Sequence, residues 1–295
     1  MAMNTVQLHE EKHPNDAAVA RYDSLTGIDA QKADLLDCLL RILDPERVSR
    51  WLKKHHRAGL PLADRLQARS QLVILAGEVG CGKTALATTI GSVLGKALDR
   101  RVVAMETPSD IRGGGLVGQL SERVTAAFDE ARVKAGKNPG ILIIDEGDDL
   151  GTSRAQMQAH HEDRAGLNVL IKEIDRLARD RAQIAVVLVT NRLQALDPAL
   201  VRRAHVIRFA RPDAAARRAL FERLLNGVDR DEDALSALVR ASERQPPFSY
   251  SDLVDRGAEA ALMACLREDR PFSVAVFQEI LEKMEPTPLI DDKSA

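Results

Sequence analysis

A glycine-rich segment in the first third of the chain has the residue types that hold a phosphate chain. GEVGCGKT, residues 77–84, fits the pattern G-x-x-x-x-G-K-[ST] without a mismatch and directly follows the apolar run QLVILAG. Glycines let several backbone N–H groups face one polyphosphate, and the N-terminus of the next helix adds partial positive charge. An ordinary glycine turn before a helix is the alternative, which the agreement of motif and context makes the weaker one.

We therefore predict that this segment binds ATP together with Mg²⁺. Lys83 would reach the β- and γ-phosphates, and the Thr84 hydroxyl would coordinate the metal. The predicted cofactor-binding residues of the segment are Gly77, Glu78, Val79, Gly80, Cys81, Gly82, Lys83, Thr84 and Ala85.

Two acids end the apolar run GILIIDE, residues 140–146. In parallel sheets, ligand chemistry gathers at the carboxyl ends of the strands. Asp145 could hold the metal or its water, and Glu146 could orient and polarise an attacking water. A solvated strand end is the other interpretation of two acids, but their place about sixty residues after the glycine-rich loop favours catalysis.

Further polar residues follow the next apolar run, AQIAVVLVTN. Its last residue, Asn191, could hold the attacking water from a neighbouring strand, although asparagine also ends strands routinely. The segment LDPALVRRAH then presents Arg202 and Arg203 after a short helical turn. An arginine near the γ-phosphate stabilises charge that develops during phosphoryl transfer, whereas a solvated arginine pair would have no such role.

Short apolar runs alternate with helical periodicity between residues 71 and 210. Strands separated by helices, with runs that are apolar on both faces, indicate a parallel sheet covered by helices. We predict an α/β fold, a P-loop three-layer sandwich with a central parallel five-stranded sheet. The predicted strands are 71–77, 101–106, 140–146, 182–191 and 204–210.

The strand signal stops after Pro212, and only helical segments follow. We predict a large ATPase domain over residues 21–210 and a small C-terminal all-α lid domain over residues 211–284. Residues 1–20 are polar and without periodicity, which predicts a flexible N-terminal arm. Residues 285–295 contain two prolines and are expected to form a disordered tail.

Composition excludes several classes of protein. The net charge of -2 and pI near 6.4 argue against strong non-specific binding of nucleic acid, which needs a basic surface. Three widely spaced cysteines favour neither a disulfide framework nor a zinc cluster, and they suit a reducing cytoplasm. No apolar run approaches the roughly 20 residues that span a bilayer, so no membrane segment is expected.

The motifs, in this order and followed by a helical lid, resemble the AAA+ superfamily over about residues 21–284. GEVGCGKT resembles its Walker A motif and ILIIDE its Walker B motif, while Asn191 falls at the sensor-1 position. DPALVRR aligned on the family pattern DPALxR puts Arg202 at the arginine-finger position. YDSLTGID resembles the segment whose backbone lies against the adenine, around Gly27 and Ile28.

The stretch from DRAGLNVL to HVIRF resembles the pachytene-checkpoint remodellers, ATPases that open HORMA-domain proteins. Short bacterial relatives of that family act beside HORMA proteins and a cyclic-oligonucleotide synthase in anti-phage operons of the CBASS type. The resemblance implies a homo-hexameric ATP hydrolase that remodels a HORMA-domain partner at a central pore.

Some positions depart from the family pattern. The pore-loop position holds the aliphatic pair Leu116 and Val117, followed by Gly118, where AAA unfoldases carry an aromatic residue. Ser251 occupies the sensor-2 position, where the pachytene type has arginine. Two alternatives therefore stay open: a DNA-acting AAA+ protein, such as a helicase or transposition loader, and an unfoldase that serves a separate protease.

Overall fold

The computed structural model describes residues 6–56, 59–63, 70–108, 119–147 and 161–290, with residues 161–164 described by their backbone alone. One sheet of six strands occupies the centre, in the spatial order β1-β3-β4-β5-β2-β6. The strands are β1 (His9–His13), β2 (Leu72–Gly77), β3 (Val102–Glu106), β4 (Gly140–Ile144), β5 (Ile184–Thr190) and β6 (His205–Phe209).

Strands β2 to β6 pair in parallel, which confirms the five predicted strands. Every residue of β4 and β5 is buried because helices cover both faces of the sheet. Leu72 and Ile74 pack into a core on one face, whereas Val73 and Leu75 pack into a core on the other. This alternation along a single strand produces the predicted three layers.

Helices cover both faces of the sheet in this part of the chain. Leu120 to Ala135 and Leu167 to Leu177 contribute to the first core, whereas Leu35 to Leu43 and Leu86 to Leu94 contribute to the second. The helices are α1 (Asp16–Ser24), α2 (Asp29–Leu43), α3 (Glu46–His55), α4 (Lys83–Leu98), α5 (Gln119–Ala135) and α6 (His161–Arg179). Among the described residues, no helix combines the length and apolar character that crossing a membrane requires.

The described residues 6–20 are ordered, so the prediction of a flexible arm over residues 1–20 is wrong for this part, and β1 makes the sheet six-stranded where five strands were predicted. Strand β1 pairs antiparallel with β3, and His13 lies opposite Val102. The His13 ring is buried, with its Nδ1 2.8 Å from the Ser92 hydroxyl of α4. Backbone pairing, the buried His13 ring and the buried side chains of Val6 and Leu8, which join the core on one face of the sheet, hold the segment.

Every element that follows β6 in the described chain is helical, as predicted. These elements are α8 (Ala214–Leu224), α9 (Glu232–Ala241), a π-helical segment (Asp252–Ala258), α10 (Glu259–Arg267) and α11 (Val274–Lys283); the four-residue α7 (Pro198–Val201) precedes β6. The helical elements after β6 share a separate apolar core, in which the rings of Phe221 and Phe277 meet edge to face at 5.5 Å.

The predicted tail packs against this helical part over residues 285–290, which corrects the expectation of disorder there; residues 291–295 lie outside the described chain. The Thr287 hydroxyl donates to Asp252 Oδ1 over 2.6 Å, and the Thr287 amide donates to Asp252 Oδ2 over 3.2 Å. Burial opposes the ionisation of Asp252, but hydrogen bonds from Thr287, Ser249 and Arg256 outweigh burial and lower its pKa to about 2.

Asp252→Asn is expected to lower the free energy of unfolding by about 2 kcal/mol at neutral pH. The folded chain holds the Asp252 pKa below its usual value of 3.8. The stabilisation is therefore complete above about pH 4 and is lost as the pH falls through about 2. Urea unfolding at a series of pH values should show the gap between wild type and variant closing in acid.

Asp229→Asn is the matched control, because it removes the same charge from an exposed position of the same helical part. It should change the free energy of unfolding by less than about 0.5 kcal/mol at every pH. A pH-independent loss in Asp252→Asn would contradict the role of its ionised form.

Candidate nucleotide site

The sheet order brings three predicted motifs to one edge. Strand β5 lies between β4 and β2, with Leu188 opposite Ile144 and Thr190 opposite Ala76. The acids after β4, Asn191 after β5 and the glycine-rich loop after β2 are therefore neighbours at the carboxyl ends of parallel strands.

The glycine-rich loop has the backbone that the motif predicts. Gly80 and Gly82 have φ values of 71° and 85°, in the left-handed region that favours glycine. Helix α4 begins at Lys83, directly after Gly82. The first N–H groups of a helix point beyond its N-terminus, where together with the helix dipole they favour an anion, so the start of α4 suits a phosphate group.

Two side chains at the start of α4 connect the loop to its surroundings. The Thr84 hydroxyl donates to Asp145 Oδ2 over 2.9 Å, and the Lys83 ammonium donates to the carbonyls of Gly77 and Glu78 over 2.8 and 2.6 Å. A hydroxyl and a carboxylate at this distance are the hard oxygen donors that Mg²⁺ prefers, so the residues fit that cation. The Lys83 ammonium is therefore held beside the loop, in the position where a phosphate chain would bind.

Glu146 has an unusual backbone conformation. Its φ is 51°, which is uncommon for a residue with a side chain and occurs often at active sites. The next residue must be glycine, since a Cβ on Gly147 would lie 2.3 Å from Leu188 Cδ2. The turn presents the Glu146 side chain to solvent, while Asp145 stays partly buried.

A cleft of about 550 Å³ joins these residues, a size typical of sites for small ligands. Asp145, Glu146 and Asn191 line it together with the loop and the C-terminal helical part. The predicted residues that line it are Ile28, Val79, Gly80, Cys81, Gly82, Lys83, Thr84, Ala85, Asp145, Glu146 and Asn191.

Three predicted cofactor-binding residues do not line this cleft. Gly77 and Glu78 line a neighbouring one, where the Glu78 carboxylate lies 3.4 Å from Arg211 Nη2. Gly27 is covered by Tyr250, whose hydroxyl would lie 2.3 Å from a Cβ added to the glycine.

The segment Ser249-Tyr250-Ser251, where the helix that leads into the π-helical segment begins, connects the helical part to both nucleotide segments. The Tyr250 hydroxyl donates to the Gly27 carbonyl over 3.0 Å, and the Ser251 amide donates to the Gly80 carbonyl over 3.1 Å. Burial raises the pKa of Tyr250 to about 12, so its phenol stays a neutral donor. The sequence indicated Ser251 as a site position but not Tyr250. Tyr250 and Gly27 are 223 residues apart in the chain, and no sequence motif predicts that they meet.

Tyr250→Phe is expected to weaken ATP binding by about two- to tenfold, the range that corresponds to the net worth of one hydrogen bond. The change removes only the oxygen that holds Gly27, so the ring should still cover the cleft. Binding of a fluorescent ATP analogue would measure the effect. Tyr22→Phe is the matched control, since Lys32 lies 4.4 Å from the ring centroid and can keep that contact; equal losses in both variants would contradict the assignment.

The predicted arginines lie away from the cleft of their own chain. Arg202 and Arg203 line a separate depression together with His205. Arg203 Nη1 donates to the Ala199 carbonyl over 3.0 Å, and its Nε lies 3.4 Å from Asp175 Oδ1. Arg202 is exposed and has no ion pair or hydrogen bond from its side chain to the described residues. The pore-loop residues Leu116, Val117 and Gly118 lie outside the described chain.

Comparison with known proteins agrees with this geometry. Residues 73–212 match the family described as ATPase family associated with various cellular activities (AAA). The protein named CD-NTase-associated protein 6 of Escherichia coli (strain MS 115-1) is 37% identical over 287 residues, which cover 92% of each chain.

Two solved structures share the fold and about a third of the aligned residues. A chain in the structure of the E. coli MS115-1 HORMA:CdnC:Trip13 complex is 34% identical, with a TM-score of 0.92 and 99% of each chain covered. The structure of Rhizobiales Trip13 is 31% identical, with a TM-score of 0.75 over 95% of this chain and 98% of that one. The chain described here therefore belongs to the AAA family of ATPases and is an ATP hydrolase.

Proposed function

We propose that this chain is a cytoplasmic, ring-forming AAA ATPase that uses ATP hydrolysis to remodel a HORMA-domain protein in a bacterial anti-phage signalling system. The observation that carries the proposal is the near-complete match to a chain of the complex that contains HORMA, CdnC and Trip13. The Escherichia coli relative named CD-NTase-associated protein 6 supports the same setting.

ATP and Mg²⁺ are the proposed cofactors. Gly80, Gly82 and the start of α4 would hold the phosphates, and Thr84 with Asp145 would hold the metal, which neutralises charge on the phosphates when bound. Glu146 would accept a proton from the attacking water, and Asn191, directly after the neighbouring strand β5, would orient that water.

The position of Arg202 supports a homo-oligomer, for which we propose a hexamer. An exposed arginine outside its own cleft, with no partner among the described residues, can reach the cleft of a neighbour. A contact of this kind is head-to-tail, and repeating it closes a ring when the rotation permits.

The proposed domains are the ATPase domain of residues 21–210 and the lid of residues 211–284. Tyr250 and Ser251 link the lid to Gly27 and Gly80. Hydrolysis of ATP at the glycine-rich loop would therefore move the lid through these contacts. In this proposal, Leu116, Val117 and Gly118 contact the partner at the pore, an assignment that rests on their position in the sequence.

A trapping experiment tests the function. Tagged Glu146→Gln protein with ATP is expected to retain a HORMA-domain protein from a lysate of its own host, identified by mass spectrometry. Lys83→Ala, which should not bind ATP, is the matched control and should retain none. Recovery of DNA without protein would favour the DNA-acting alternative, and recovery of a protease would favour the unfoldase alternative; either result would overturn the proposal.

A further inference from the structure

A second group of ligand-type side chains lies away from the nucleotide cleft, where α2 meets the start of β6. Asp34 and Cys38 are four residues apart and therefore share one face of α2. His205 is the first residue of β6, and its Nε2 lies 2.8 Å from Asp34 Oδ1. The Cys38 thiol is 3.8 Å from the same carboxylate oxygen, and the three ligand atoms all lie within 4.8 Å of one another.

We propose that Asp34, Cys38 and His205 bind one zinc-class divalent cation, with water as the fourth ligand. Thiolate, imidazole and carboxylate together are the ligands of Zn²⁺, whereas Mg²⁺ and Ca²⁺ avoid sulfur. Tetrahedral Zn²⁺ at its usual bond lengths separates its ligand atoms by about 3.3 to 3.7 Å. The Asp34–His205 pair would open by about half an ångström to reach that spacing, and the Cys38–Asp34 pair already lies close to it.

The charges of the site balance those of the ion. Burial, and then the charge of Asp34, raise the pKa of Cys38 to about 11, so the thiol alone keeps its proton. On binding, the S–H bond breaks, the sulfur–metal bond forms and the proton goes to solvent. One thiolate and one carboxylate then neutralise two positive charges, although Arg41 lies nearby.

The competing interpretation is purely structural. An Asp34–His205 hydrogen bond and a small buried cysteine would satisfy all three side chains without a metal. The two interpretations differ in the state of the Cys38 sulfur. A metal site needs Cys38 as a thiolate ligand, whereas the Asp34–His205 hydrogen bond leaves it a thiol. The two interpretations also differ in their effect on the structure. A bound ion would link the start of β6 to α2, and this link would lie two residues after Arg203.

Spectroscopy with Co²⁺ tests the site. Full-length protein without a histidine tag, treated with chelator and free of nucleotide, is titrated with Co²⁺ and then with Zn²⁺. Wild type should bind one Co²⁺ per chain with a thiolate-to-metal absorption band in the near ultraviolet, and Zn²⁺ should displace it. Cys38→Ser should lose the band and bind Co²⁺ at least tenfold more weakly. Cys265→Ser, which changes another buried cysteine, should keep both the band and the affinity.

A second variant separates metal binding from folding. His205→Gln can still donate a hydrogen bond to Asp34 but loses the imidazole ligand. Its metal-free melting temperature should stay close to that of wild type, while the rise produced by Zn²⁺ in wild type should disappear. Absence of the band in wild type, its persistence in Cys38→Ser, or equal Zn²⁺ stabilisation of wild type and His205→Gln would overturn the proposal.

Discussion

Replacing Arg202 with alanine should lower kcat for ATP hydrolysis by about 10³-fold or more while leaving the affinity for ATP nearly unchanged. The side chain lies outside the cleft of its own chain, so its loss cannot disturb nucleotide contacts there. An arginine that arrives from a neighbour stabilises the charge of the transition state, and this stabilisation appears in kcat. Steady-state hydrolysis and binding of a fluorescent ATP analogue would separate the two quantities.

Arg203→Ala is the matched control for this prediction. The Arg203 guanidinium is held within its own chain by the Ala199 carbonyl and by Asp175. Of the two candidates from the sequence, the structure therefore favours Arg202 as the arginine that reaches across, and Arg203→Ala should lower kcat much less. The reverse order of the two effects would contradict the assignment.

Mixing two inactive proteins tests the origin of the arginine. Arg202→Ala chains keep an intact cleft, and Lys83→Ala chains keep an intact Arg202 but should not bind ATP. If the arginine comes from the neighbour, mixed assemblies contain some complete sites and regain part of the activity. Mixtures with no more activity than the separate variants would argue that each chain completes its own site.

Glu146→Gln should lower kcat by about 10²- to 10⁴-fold, the usual contribution of a general base. Glutamine has the same shape but cannot accept a proton from water, so the affinity for ATP should stay within about threefold of wild type. The Glu146 carboxylate lines the cleft beside Asp145, and no other glutamate of the described chain lines it. Single-turnover hydrolysis would measure the chemical step directly.

Glu78→Gln provides a control in the glycine-rich loop itself. Its carboxylate faces Arg211 in the neighbouring cleft, so the change should alter kcat by less than about threefold. If Glu146→Gln hydrolysed ATP at the wild-type rate, or if Glu78→Gln lost as much of kcat, the role assigned to Glu146 would be wrong.

The parts of the fold that the sequence predicted well are those whose signal is local. Strand β2 was expected over 71–77 and runs from Leu72 to Gly77, because a run buried on both faces must be apolar throughout. The P-loop was predictable for a similar reason, since its glycines and the helix that starts at Lys83 are consecutive in the chain.

The parts that sequence analysis missed depend on contacts between distant residues. Strand β1 has the sequence HEEKH, whose charges give no alternating apolar pattern, and β3 supplies its hydrogen-bonding partners. The same holds for Tyr250 on Gly27 and for His205 beside Asp34, which are 223 and 171 residues apart. Such pairs follow from the packing of whole elements, which no local pattern specifies.

Strand β1 also has a consequence for the solubility of the chain. Without it, β3 would present a row of unpaired amides and carbonyls, onto which a strand from another molecule could add. The charged residues of β1 cap this row, in the same way that many proteins protect sheet edges with lysine and glutamate. A fusion partner joined so closely that it pulls residues 9–13 off the sheet would therefore expose a template for aggregation, even with the nucleotide site intact.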